Sequence, residues 1–90
     1  MDTLDELKER LADGEYTSII LEEPDYVTAI IGITDDGAVV YDYDKMVQFL
    51  VEKDGMTEED AVDFISYNTI RAIPYMNVEG ATKPIIVYPI

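Results

Sequence analysis

Residues 26–51 read YVTAIIGITDDGAVVYDYDKMVQFLV, and this segment predicts a β-hairpin followed directly by a helix. Apolar residues alternate through residues 26–34, as is typical of a half-buried strand, and one face of that strand collects Val27, Ala29, Ile31 and Ile33. Asp35-Asp36-Gly37 is a hairpin turn sequence. The apolar residues 38–41 after it predict the returning strand.

Two helices are predicted after the hairpin. Asp42 is suited to cap the first, over Tyr43–Lys53, which has a broad apolar face. Thr57 is suited to cap the second, whose inward residues are predicted to be Ala61, Val62, Phe64 and Ile65. Because Pro74 disfavours helical backbone at the preceding residue, this helix is expected to end or break between Asn68 and Ile73.

The flanking segments complete the predicted fold. Residues 4–12 carry a helical stripe of leucines, Tyr16–Leu21 is rich in β-forming residues, and Pro84–Tyr88 is a continuous apolar strand. We therefore predict an α+β fold in the order α-β-β-β-α-α-β, with a small antiparallel or mixed four-stranded sheet and helices mainly on one face. Residues 1–90 are expected to form a single domain. The last strand is expected beside the first or the third, and the sequence leaves both positions open.

The last strand has no polar face. Ile85, Val87 and Pro89 point one way and Ile86, Tyr88 and Ile90 the other, so both faces need cover. Either the first helix crosses to the second face, or two copies form a homodimer through residues 84–90. Of these arrangements we expect the homodimer.

Composition limits the cellular setting. The chain has 90 residues and no cysteine, so disulfides and thiolate metal sites are excluded, and a reducing cytoplasm is expected. The first six residues include three acids where a signal peptide would carry bases. No apolar run approaches the roughly 18 residues needed to span a bilayer. Neither export nor membrane insertion is expected.

Charge limits the class of partner. Twenty acids against six bases give a net charge of −14, which repels nucleic acid and anionic lipid and favours cationic partners. Residues 1–25 have a net charge of −7, residues 26–63 of −8, and residues 64–90 of +1. This distribution predicts an acidic surface together with an apolar, almost neutral C-terminal third.

The chain lacks the residues that most catalytic and metal-binding sites use. Histidine and cysteine are both absent, so we predict a protein that is not an enzyme and that needs no cofactor. Neither Asp35-Asp36-Gly37 nor Asp42-Tyr43-Asp44 continues as a calcium-binding loop, so no metal site is predicted. The helices around residues 54–57 have helix-turn-helix spacing, but residues 58–67 carry four acids and no base. An ordinary helical hairpin is expected instead.

One polar cluster interrupts the apolar C-terminal third, at Tyr67, Asn68, Thr69 and Arg71. In a structural interpretation, Asn68 caps a chain break and Arg71 pairs with Asp42 or Asp44. In a functional interpretation, Tyr67, Asn68 and Arg71 form a contact patch with Tyr75, because tyrosine and arginine are enriched at interface hot spots.

Several unusual short sequence motifs also suggest a family. They are Tyr41-Asp42-Tyr43-Asp44-Lys45-Met46, residues 54–61 (DGMTEEDA) and residues 68–75 (NTIRAIPY). In roughly residues 38–88 the chain resembles a family of short acidic proteins from gut Firmicutes and their phages. The resemblance implies a bacterial or phage cytoplasmic setting and no catalytic residue.

The leading functional hypothesis is an acidic protein that occupies a basic, nucleic-acid-binding surface of a partner, as phage inhibitors of CRISPR or restriction nucleases do. A binding mimic needs its acids on one continuous face, whereas acids that only confer solubility should be scattered. The alternatives are an accessory interaction or scaffold protein and, third, a small enzyme. The predicted partner-binding residues are Glu58, Glu59, Asp60, Asp63, Tyr67, Asn68, Arg71 and Tyr75.

Overall fold

The computed structural model describes residues 3–90, so Met1 and Asp2 at the acidic start lie outside the described residues. The α+β prediction is confirmed at this level, with three α-helices and one mixed three-stranded sheet in the described part of the chain. The main elements are α1 (Thr3–Asp13), β1 (Ile30–Ile33), β2 (Val39–Asp42), α2 (Tyr43–Asp54), α3 (Glu58–Phe64) and β3 (Ile85–Val87). A 3₁₀ turn covers Val27–Ala29, and a π-helix (Ile65–Thr69) and a 3₁₀ helix (Ile70–Tyr75) continue α3.

The sheet has the order β1-β2-β3. The predicted hairpin is confirmed, because β1 and β2 pair antiparallel. β3 pairs parallel with β2, so the last strand lies beside the third predicted strand. Two helices separate β2 from β3 in the chain, as a parallel connection requires.

The predicted strand over Tyr16–Leu21 is not formed, so the four-stranded sheet and its element order are corrected. This segment is extended and makes a single parallel bridge, between Ser18 and Thr82. Leu21 is buried, and its N–H donates to the Tyr41 hydroxyl at 3.0 Å. β-Propensity alone does not form a strand, because a strand also needs a neighbour to pair with along its length, and this segment pairs only at that bridge.

The strand before the hairpin turn is shorter than predicted. Val27–Ala29 turns as a 3₁₀ helix, and an irregularity in the register follows between Ile30 and Gly32. As a result Ile30 and Ile33, rather than Ile31, contact the core, and Ile31 is 50% exposed. The bulge shifts the side-chain alternation that the sequence predicted.

Both predicted helix caps are formed. An Asp42 carboxylate oxygen accepts a hydrogen bond from the Lys45 N–H at 3.1 Å, and the Thr57 hydroxyl oxygen accepts one from the Asp60 N–H at 3.1 Å. α2 ends at Gly55, whose φ of 68° is the left-handed conformation that glycine adopts at little cost.

One hydrophobic core joins the helices to the inner face of the sheet. Its buried side chains are Leu7, Leu11, Leu21, Tyr26, Ala29, Val39, Tyr41, Met46, Val47, Leu50, Ala61 and Ile65. Of the residues predicted to face inward from α3, Val62 is exposed and Phe64 is half-buried. Leu7 and Leu11 of α1 belong to this same core.

Candidate partner-binding surface

The acidic side chains lie almost entirely on the surface. Among residues 3–90, every Asp and Glu is exposed except Asp25 and Asp42, which are half-buried. Each of these two accepts a hydrogen bond from a nearby backbone N–H, Asp25 from Val27 and Asp42 from Lys45. One ion pair forms within the described residues, between the exposed Arg10 and Glu6 at 3.9 Å. The remaining exposed carboxylates are therefore available to a cationic partner.

The predicted site begins at the N-terminus of α3. The Thr57 cap starts the helix, and the acids Glu58, Glu59 and Asp60 occupy its first turn, where the helix dipole stabilises negative charge. Asp63 follows on the same short helix, and all four side chains are exposed. A shallow groove lies between α2 and α3, and it is lined by Asp44 and Glu52 of α2 and by Glu58 of α3. The acids of the two helices thus form one neighbouring set.

The second half of the predicted site lies on the helical continuation of α3. Tyr67 and Tyr75 are 65% and 82% exposed. The Arg71 guanidinium lies over the Tyr67 ring, 5.3 Å from its centroid, which is within cation–π distance. Tyr67 and Asn68 belong to a π-helix, a local geometry that is common at functional sites. The structure therefore brings the predicted tyrosines and Arg71 to the surface along the segment that begins with the α3 acids.

The structural interpretation of this cluster is wrong for Arg71. Its side chain is exposed and stacks on Tyr67 rather than pairing with Asp42 or Asp44. Asn68 donates from its side chain to the Phe64 carbonyl at 3.2 Å, which is a bond within the helix. Thr69 is not part of the surface cluster, because its side chain is buried and forms a hydrogen bond with the Tyr26 hydroxyl.

The acids do not all lie on α2 and α3. Exposed acids also lie along α1, and two more, Asp35 and Asp36, lie at the tip of the hairpin. The structure therefore has an acidic face on the helical hairpin together with acids elsewhere. By the criterion of one continuous face, the distribution is intermediate between that of a binding mimic and that of a solubilised scaffold.

Sequence reasoning missed an aromatic pair close to this face. The rings of Tyr43 and Tyr88 lie 4.7 Å apart between centroids, with an interplanar angle of 37°. Burial raises the pKa of Tyr43, and the neighbouring Tyr88, Asp44 and Asp63 raise it further. The pair depends on the parallel pairing of β2 with β3, which the sequence pattern did not determine.

A groove of about 550 Å³ runs between residues 17–24 and the segment 68–81, with Ile19, Met76 and Val78 among its lining residues. Within residues 3–90, no group of three or more acids is arranged to hold a metal ion. In the same residues, no helix is both long enough and apolar enough to cross a bilayer.

Comparison with protein-family models, curated proteins and solved structures finds no match to this chain. The resemblance to short Firmicutes and phage proteins therefore stays a prediction.

Proposed function

We propose that the chain is an acidic, non-enzymatic binding protein that occupies a basic, nucleic-acid-binding surface of a protein partner, in the manner of phage inhibitors of CRISPR or restriction nucleases. The observation that carries the proposal is the exposed and largely unpaired state of the acids in residues 3–90. A carboxylate already held by an internal base would offer little to a partner, whereas an unpaired one is attracted to any basic surface.

The amount of charge is comparable with that of nucleic acid. The molecule measures 38 × 31 × 26 Å and has a net charge of −14. A DNA duplex carries one charge per about 1.7 Å, so a duplex as long as this molecule would carry about 22 charges. The two charges over this length agree within a factor of two, which supports competition for a phosphate-binding surface.

The proposed contact surface is the helical segment 58–75. Its acidic end, with Glu58, Glu59, Asp60 and Asp63, supplies the electrostatic attraction. Its other end supplies Tyr67, Asn68, Arg71 and Tyr75, where the exposed rings and Arg71 provide apolar contact area and directional hydrogen bonds. Acids speed the encounter, and the aromatic end gives the complex its specificity.

Two charge-matched variants test this function. The first replaces Glu58, Glu59, Asp60 and Asp63 by their amides, and the second does the same to Asp5, Glu6, Glu9 and Asp13 on α1. Both remove the same charge, so only the location differs. Each is used as bait in a bacterial or phage-infected lysate at low and moderate salt, with duplex DNA as competitor.

The expected result is a captured nucleic-acid-binding protein that duplex DNA displaces, that the α1 variant retains and that the α3 variant loses at moderate salt. The proposal is wrong if DNA displaces no captured protein, or if both variants lose the partner equally.

A second candidate function is an accessory interaction protein that forms a homodimer through residues 84–90. It is favoured by the exposure of Ile85 (40%), Tyr88 (61%) and Ile90 on and after the edge strand β3. The register also places Ile85 beside Val40 on the outer face of the sheet. Residues 64–90 have a net charge of +1, so the strand itself adds no like-charge repulsion between two copies. Sedimentation of the wild type and of Ile85→Lys at micromolar concentration tests this candidate, and a monomeric wild type would exclude it.

A further inference from the structure

The Tyr43–Tyr88 pair follows directly from the register of the sheet. Asp42 at the end of β2 lies opposite Val87 at the end of β3. The residues that follow them, Tyr43 and Tyr88, are therefore brought side by side by the parallel pairing, with their ring centroids 4.7 Å apart. Tyr43 starts α2, whose capped first turn holds its backbone in position.

This pair lies at the surface. Tyr88 is 61% exposed and Tyr43 is half-buried. The Tyr88 ring therefore packs against the half-buried Tyr43 ring, while most of its own surface stays open to solvent. A tyrosine pair that served only the core would be covered, as Tyr26 and Tyr41 are at 1% and 0% exposure. Open aromatic faces carry negative electrostatic potential and attract cations.

Carboxylates from two helices adjoin the pair. Asp44 follows Tyr43 on α2, and Asp63 lies on α3. After burial and the neighbouring Tyr88, the negative charge of these two carboxylates also raises the pKa of the Tyr43 hydroxyl. Both carboxylates are exposed, and neither forms an ion pair within the described residues. The rings and the carboxylates together favour a cation.

We propose that Tyr43 and Tyr88, flanked by Asp44 and Asp63, bind an arginine side chain of the partner protein. This inference deepens the proposed function and rests on it, because it extends the contact with a basic surface from Asp63 of the segment 58–75 to a recognition site at Tyr43 and Tyr88. A guanidinium fits better than an ammonium group, because it is planar, stacks on aromatic rings and can donate to a carboxylate in the same pose.

The arginine must come from another protein. This chain has two arginines, and both already have a neighbour: Arg10 pairs with Glu6, and Arg71 stacks on Tyr67. A second copy of the chain would also bring its own acidic surface to the site, which like-charge repulsion disfavours.

The experiment uses the full chain with an oligoarginine peptide and an oligolysine peptide of equal length. Calorimetry measures affinity, and NMR follows the ring signals of Tyr43 and Tyr88 during each titration. The variants are Tyr88→Leu, Tyr88→Phe and the pair Asp44→Asn/Asp63→Asn. The charge-matched control is Asp5→Asn/Glu9→Gln on α1.

The oligoarginine peptide should bind more tightly than oligolysine and should shift the Tyr43 and Tyr88 ring signals. Tyr88→Leu should weaken oligoarginine binding by about 2- to 5-fold, as expected for one lost cation–π contact, while Tyr88→Phe retains the wild-type affinity. The Asp44/Asp63 variant should lose more affinity than the Asp5/Glu9 variant.

Equal binding of the two peptides, wild-type affinity in Tyr88→Leu, or equal losses in the two charge-matched variants would each overturn the site. These results are separable from the test of the proposed function. If the peptide results fail while a DNA-displaceable partner is still captured, the arginine site is wrong and the function stands. If no such partner is captured, the function itself fails, whatever the peptides do.

Discussion

The Tyr26 hydroxyl and the Thr69 Oγ1 lie 2.8 Å apart in a hydrogen bond that is buried from solvent. The two residues are 1% and 4% exposed, and the bond joins the turn before β1 to the π-helix that follows α3. Tyr26 also contacts Phe49 of α2, with ring centroids 5.7 Å apart. This bond therefore fixes the helical hairpin against the chain that enters the sheet.

Removing one partner of this bond should destabilise the fold. In Tyr26→Phe the Thr69 hydroxyl loses its buried partner, and we expect a loss of about 1–3 kcal/mol in the free energy of unfolding. The double variant Tyr26→Phe/Thr69→Val should cost less than the sum of the two single changes, because no polar atom is left unpaired. Urea denaturation measures all three, with the exposed Tyr67→Phe as the control. Additive costs would show that the bond contributes nothing of its own.

Alkaline pH should unfold the protein through its buried tyrosines. Burial raises the pKa of Tyr26 and of Tyr41 above the ordinary value of 10.0, although each hydroxyl's hydrogen bond opposes part of that rise. The unfolded chain therefore loses these protons first. The contribution of the two phenols to the free energy of unfolding is fully present below pH 10.0 and is lost as the pH rises through their folded-state pKa values. Urea melts at increasing pH, together with tyrosinate absorbance, measure this. A free energy of unfolding that stays constant above pH 10.0 would contradict the burial of both phenols.

Local signals predicted the parts of this fold that depend on neighbouring residues. The turn at Asp35-Asp36-Gly37 and the Asp42 and Thr57 caps follow from side chains acting within a few residues, and all of them are formed. The segment Tyr16–Leu21 could not be judged in the same way, because a strand needs a partner, and the one bridge of this segment joins Ser18 to the distant Thr82.

The candidate site divides in the same way. The exposure of the α3 acids follows from the local helix and its cap. The stacking of Arg71 on Tyr67 was missed because the π-helix replaces the chain break that Pro74 suggested. Tyr43 and Tyr88 meet only through the parallel register, for which one sequence contains no local signal.

Replacing Arg71 should affect binding more than stability. An arginine buried with a carboxylate would cost several kcal/mol to remove, but Arg71 is exposed, and we expect Arg71→Ala to cost less than about 1 kcal/mol. Its effect should instead appear as weaker capture of the partner, which Arg71→Lys restores only in part because lysine stacks less well. Chemical denaturation and partner capture are the two measurements. A destabilisation as large as that of Tyr26→Phe would restore the structural interpretation.

Two glycines with positive φ provide a matched test of the hairpin turn. Gly37 (φ 92°) and Gly80 (φ 78°) are strained by any Cβ, but only at Gly37 would the Cβ meet the Tyr16 ring, at 2.5 Å. That ring cannot move freely, because its hydroxyl donates to the Asp35 carbonyl at 2.9 Å. We expect Gly80→Ala to cost about 1–2 kcal/mol and Gly37→Ala about 2–4 kcal/mol in unfolding free energy. Equal costs would show that Tyr16 yields to the new methyl group.

Added salt should stabilise the protein. The exposed carboxylates of residues 3–90 greatly outnumber the bases, and one exposed ion pair forms among them, so repulsion between acids dominates the surface. Added salt screens this repulsion. Thermal melts at several salt concentrations measure the effect. A melting temperature that does not change with salt would show that the acids do not repel one another.

The parallel pairing of β2 and β3 has a consequence for how the chain is made. The hairpin is translated before Ile85–Val87, so the central strand of the sheet has one open edge until those residues have been added and can pair with it. An open edge next to Val40 and Tyr41 can pair with a neighbouring nascent chain. The acids already translated by then oppose that encounter, because neighbouring copies on one messenger RNA repel each other. We therefore expect the surface charge to keep an unfinished sheet from pairing with its neighbours during synthesis.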